Sequence, residues 1–158
     1  MSKQTDYTPE EWKTITAAPL MAGLLVSVSD LSGPIGLVKE GLSVARAVSE
    51  TPSTANELIK VLAEGIKTQG GRPEMPELPR DQAGARAALI DGCKQAAAAV
   101  AQKSPSEAEE YKRWLVSLAQ KTAEAAKEGG FLGIGGTRVS TAESTALTEL
   151  AAALGVSV

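Results

Sequence analysis

Residues 128–143 read Glu128-Gly129-Gly130-Phe131-Leu132-Gly133-Ile134-Gly135-Gly136-Thr137-Arg138-Val139-Ser140-Thr141-Ala142-Glu143. An acidic residue runs into glycines, three large apolar residues sit among them, and Ser140 to Glu143 has the spacing of a capping box that opens a helix. Before this stretch, Tyr111, Trp114, Leu115, Leu118, Thr122 and Ala125 form an apolar stripe opposite Glu109, Glu110, Arg113, Lys121 and Glu124. After it, Ala146, Leu147, Leu150, Ala151 and Leu154 keep helical spacing, and Gly155 is placed to end the helix in a left-handed cap. The stretch is therefore the decorated turn of a helical hairpin, and the fold predicted around it is all-α.

The rest of the chain agrees with that reading. Thr8-Pro9-Glu10-Glu11 combines an N-cap, a proline at the first helical position and a capping-box glutamate, which predicts the start of the first helix. Pro19 removes the hydrogen bond to the carbonyl of Ile15 and is expected to kink that helix or split it. A turn from Ser29 to Pro34 leads to a second helix with Ile35, Val38, Leu42, Ala45 and Val48 at helical spacing. Ser53 is expected to cap a third helix with Leu58, Leu62 and Ile66 on its inner face. From Gly70 to Pro79 three prolines and two glycines exclude a helix or a central strand, so this part reads as a surface linker. A fourth helix is predicted from Asp81 to Lys103, its glycines and alanines permitting close helix approach. Ser104-Pro105-Ser106-Glu107 repeats the capping signature and opens the fifth helix. No segment alternates with period two, so no sheet is expected. The prediction is one domain over residues 1–158 with six principal helices in two halves, 8–69 and 81–155, joined by the linker 70–80.

Composition removes several kinds of chemistry. The 158 residues contain one cysteine, Cys93, and no histidine. Ser-His-Asp and Cys-His catalysis, imidazole zinc sites and an internal disulfide are excluded, and a metal would have to be held by oxygen. One cysteine, read as a small buried apolar residue, suits a reducing cytoplasm. A net charge of -3, scattered basic residues, and only two tryptophans, two tyrosines and one phenylalanine argue against nucleic-acid binding. The apolar run from Ile15 to Val28 is short for a membrane span and is broken by Thr16, Pro19 and Ser27. Asp6, Glu10 and Glu11 precede it, which does not suit a signal peptide.

Omitting Phe131 to Gly136, the C-terminal turn aligns with the N-terminal SDLSGPIGLVKE. Asp30 then matches Glu128, Gly33 falls beside Gly129 and Gly130, Ile35 corresponds to Val139, and Glu40 matches Glu143. Each copy is an apolar helix, an acidic-glycine turn, and a helix with a glutamate in its first turns, as two divergent copies of one hairpin would be. On this pattern, carried by Trp12 to Val48 and Trp114 to Leu154, the chain resembles the TerB-like tellurite-resistance family. It departs in having Glu128 where an aspartate is usual, and in Pro34 and the FLGIGG insertion. The resemblance implies a cytoplasmic, non-enzymatic protein of a stress-response system. Its acidic surface would take a divalent cation and meet membrane-associated partners.

Asp30, Glu40, Glu128 and Glu143 are the candidate metal ligands, and calcium or magnesium is the cation that such carboxylates suit. An EF-hand is excluded, because its fifth, sixth and twelfth positions would fall on Pro34, Ile35 and Gly41. Helix capping by the same glutamates is the alternative. Phe131, Leu132 and Ile134 are the candidate partner-binding residues, unless the tip folds back over the chain's own core. GGFLGIGG lacks the lysine and the preceding strand of a phosphate loop. Two further functions stay open: a carboxylate- and metal-dependent hydrolase, and a protein-binding helical module without a metal.

Overall fold

Thr8 and Glu11 close the expected capping box. The backbone N–H of Thr8 donates to Glu11 Oε2 at 2.8 Å, and that of Glu11 donates to Thr8 Oγ1 at 3.2 Å. The helix they start, α1 (Pro9–Ser29), is the axis of the molecule. The computed structural model describes residues 3–29, 36–68, 73–128 and 141–158, the side chains of 36–42 and 126–128 excepted. After a 3-10 turn at Gln4–Asp6 and α1 come α2 (Gly36–Ser49), α3 (Glu57–Thr68), α4 (Gln82–Lys103), α5 (Pro105–Glu128) and α6 (Thr141–Leu154). No strand occurs among the described residues, so the all-α prediction holds.

By length and composition α1 is apolar enough to cross a membrane, yet 56% of its most apolar window is buried within the protein. It touches α2, α4, α5 and α6, and Ile15, Ala18, Met21, Ala22, Leu25 and Val26 are sealed in the core. Pro19 does not split it. The proline has no N–H for the carbonyl of Ile15, and the phenol of Tyr111 donates to that carbonyl at 3.0 Å instead. A helix from elsewhere in the chain thus repairs the gap in the α1 ladder.

Small residues set the helix spacing. At Gly92 an added Cβ would run into Met21 Sδ, and at Gly23 it would run into Val44 Cγ2 with Thr122 Oγ1 only 3.3 Å away. The first contact brings α4 onto α1. The second joins α1, α2 and α5 at one point. Asp81 caps α4 by accepting from Gly84 N at 2.6 Å.

The start of α3 differs from expectation. Pro52 and Ala55 form a turn, closed by a 3.0 Å bond from Ala55 N to Pro52 O, so Ser53 lies outside the helix. Asn56 is the cap, its Oδ1 accepting from Ile59 N at 3.0 Å. Two glutamates of α5 complete it: Glu110 Oε1 accepts from Asn56 N at 3.1 Å and Glu107 Oε1 from Leu58 N at 3.3 Å. Carboxylates at a helix N-terminus are favoured by its unpaired N–H groups and dipole.

At the far end Gly155, with φ of 71°, closes α6 as predicted. Its N–H donates to Ala152 O, and Val156 N to Ala151 O, a paired 5→2 and 6→1 arrangement.

The proline-rich linker packs in part onto the core. Pro73, Pro76 and Pro79 recur every third residue, the period of a polyproline II helix. Met75 and Leu78, likewise three residues apart, are half-buried and pack against the core.

Candidate functional site

Two contacts fix the sense in which α1 and α5 run. Tyr111 meets Ile15, and further along both helices Thr122 lies at Gly23. Both residue numbers rise together, so the helices are parallel. The interval between partners is 96 residues at Ile15 and Tyr111, nearly the interval that separates Asp30 from Glu128 in the aligned turns. Consequently α1 ends at Ser29 close to the level at which α5 ends at Glu128, at one end of the bundle.

The starts of other helices join this end. Gln82, first residue of α4, donates from Nε2 to Val28 O at 2.7 Å. At the head of α6, Glu143 is the third helical residue, where a capping box anchored at Ser140 requires it. Its side chain is only 3% exposed and is not without a partner. Ser29 is also buried, its hydroxyl donating back to Leu25 O at 2.7 Å.

Among the predicted ligands, then, Glu143 is placed fully, and Glu40 and Glu128 only as helical positions in α2 and α5. Asp30 lies outside the described residues, as do Phe131, Leu132 and Ile134 of the predicted partner tip. Among the described residues no three acidic or thiol side chains gather as a metal cluster would.

Two surface grooves lie away from the core. One, about 380 Å³, runs over α6 beside Thr141, Ser144, Thr145, Thr148 and Glu149. Two of its hydroxyls are turned back on their own helix, Thr145 Oγ1 to Thr141 O and Thr148 Oγ1 to Ser144 O, and Glu149 pairs with Arg86 at 2.6 Å. The other, about 250 Å³, lies between α2 and α5 and mixes Arg46 and Lys121 with Glu50 and Glu124. There Lys121 holds Glu50 at 3.2 Å. Neither concentrates one sign of charge.

The buried thiol of Cys93 and the buried phenol of Tyr111 serve the fold. Burial pushes the Cys93 thiol up to about 12, and its Sγ lies 3.7 Å from Ala18 O; it is protonated at neutral pH. Burial, with Cys93 and Tyr7 nearby, holds the Tyr111 phenol well above its ordinary value. Trp114 is buried in the stripe of α5, and its Nε1 donates to Thr51 Oγ1 at 3.3 Å. Trp12 is half-buried and leans on Tyr7, ring centres 5.7 Å apart.

Sequence reasoning missed Glu107 and Glu110 as the anchors of α3. Glu107 reads as the capping-box acid of its own helix, and nothing local distinguishes a carboxylate that also reaches a second helix. The role of Tyr111 had a visible signal, the orphaned Ile15 carbonyl, but not a visible partner. Comparison with known protein families, with curated proteins and with solved structures found no significant match.

Proposed function

We propose that this chain is a non-enzymatic, cytoplasmic interaction module of the TerB-like kind. Its working end is the one at which α1 and α5 terminate. The supporting observation is that α1 and α5 run parallel and end at nearly the same level, at Ser29 and Glu128. Phe131, Leu132 and Ile134 supply the apolar contact with a protein partner, and the carboxylates of Asp30, Glu40, Glu128 and Glu143 hold calcium or magnesium weakly beside it. The buried carboxylate of Glu143 supports a structured acidic end rather than a loosely solvated one.

Thermal unfolding with millimolar calcium or magnesium tests the cation. The expected result is a rise in Tm with calcium through preferential binding to the folded state, lost when Asp30→Asn and Glu128→Gln are combined. An unmoved Tm with both ions removes the metal and reduces the reading to a helical protein-binding module whose glutamates are caps.

A further inference from the structure

The proline-rich segment is tied to α1 near each of its ends and has few attachments. Near its start, Glu74 Oε1 meets Lys13 Nζ at 2.9 Å. At its far end, Gln82 Nε2 reaches Val28 O at 2.7 Å. Those anchors are about 22 Å apart along an α-helix, and a polyproline II rod from residue 74 to 82 extends about 25 Å. An extended segment of this length therefore matches the distance between its two anchors on α1.

Between the two anchors α1 presents a particular surface. Lys13, Leu20, Leu24 and Val28 follow one another at intervals of seven and four residues, which places them on one face of α1. Leu20, Leu24 and Val28 are only partly buried, whereas the remaining circumference of α1 is taken by α2, α4, α5 and α6.

The attachments are weak in kind. Both partners of the Lys13–Glu74 pair are more than half exposed, at 52% and 76%, and such pairs contribute little. Among the described residues no backbone hydrogen bond ties 73–80 to the bundle. Among the described residues of the segment, Met75 and Leu78 are the half-buried hydrophobic side chains that pack against the core. Prolines keep the segment extended when it detaches, so little order is lost on opening or needed on return.

We propose that residues 73–80 form a strap that opens independently of the helical bundle and uncovers the Leu20, Leu24 and Val28 face of α1. Closed, the strap shields an apolar stripe. Open, it presents one on an otherwise folded protein.

Glu74 and Glu77 offer cleavage sites to a glutamyl endopeptidase, and Cys93, fully buried, reports global unfolding through its reaction with a thiol reagent. Cleavage of the intact native protein after Glu77 is expected with weak dependence on sub-denaturing urea, while Cys93 labelling rises steeply with urea. Met75→Ala, which removes one hook, should speed that cleavage about three- to tenfold, given that the methionine is half-buried. Cys93 labelling should change far less. In Leu24→Cys, or in Leu20→Cys if the first folds poorly, a bulky maleimide should react faster by a similar factor when Met75→Ala is added. Cleavage and Cys93 labelling that share one urea slope would overturn the proposal, because the strap would then open only with the whole protein. So would maleimide reactivity at position 24 or 20 that ignores Met75→Ala.

Discussion

Removing the hydroxyl of Tyr111 tests the bond that lets α1 pass through Pro19 unbroken. Tyr111 and Ile15 are both fully buried, so no water can replace the 3.0 Å bond from Tyr111 Oη to Ile15 O. In Tyr111→Phe the ring stays and the carbonyl loses its partner, at a cost of about 1–3 kcal/mol for a buried polar group left unsatisfied. In a Pro19→Ala background the residue at position 19 carries an N–H again, positioned by the helix to bond the same carbonyl. Tyr111→Phe should then cost only the net value of one hydrogen bond, about 0.5–1.5 kcal/mol. The cycle isolates a coupling of about 1 kcal/mol, because the loss of the pyrrolidine ring and its packing occurs on both sides and cancels. Urea unfolding followed by far-ultraviolet circular dichroism is the suitable assay, since Tyr111 sits 6.2 Å from Trp114 and its replacement would disturb tryptophan fluorescence. Equal costs of Tyr111→Phe in the two backgrounds, within about 0.3 kcal/mol, would show that the phenol and the proline are unrelated.

Trp114→Ala should destabilise the protein by about 3–5 kcal/mol, as expected for a buried aromatic truncated to a methyl group; urea unfolding measures it, and a cost within about 0.5 kcal/mol of zero would place the indole on the surface. The Cys93 thiol has its pKa raised by burial from 9.0 to about 12, so the unfolded chain releases its proton first. Stability from this group is complete below pH 9 and is lost as pH rises towards 12. Cys93→Ala should therefore flatten the alkaline loss of stability in a pH series of urea midpoints; an unchanged slope would mean that the thiol ionises equally in both states.

The helices were legible because their signals are local. Thr8 with Glu11 and Gly155 after α6 each act within one turn of chain, and the structure uses each as its spacing implies. The failures share the opposite property. Ser53 was displaced as a cap because Asn56 is held there by Glu107 and Glu110, residues more than fifty positions away. Pro19 is a helix breaker by local rules, and the carbonyl it leaves without a donor is bonded by Tyr111 from α5 in an unsplit helix. The linker reads as polar punctuation, since a three-residue period of prolines leaves no helical or strand signal although Met75 and Leu78 pack against the core. For the candidate site the legible part is its location. Side-chain geometry there is described for Glu143 alone among the predicted ligands.

The relation between α1 and α5 bears on why that location matters. α2 follows α1 and packs on both α1 and α5; α6 follows α5 and packs on both α5 and α1. Each hairpin thus leans on the first helix of the other, an exchange that a two-fold axis parallel to α1 and α5 would generate. Such an axis requires the two central helices to run parallel and equivalent residues to stand at equal heights. The spacing of Ile15 from Tyr111 and of Gly23 from Thr122 meets that requirement with nearly the interval given by aligning Asp30 with Glu128. At α1 and α5 the geometry is the one that two copies of one hairpin about such an axis would give.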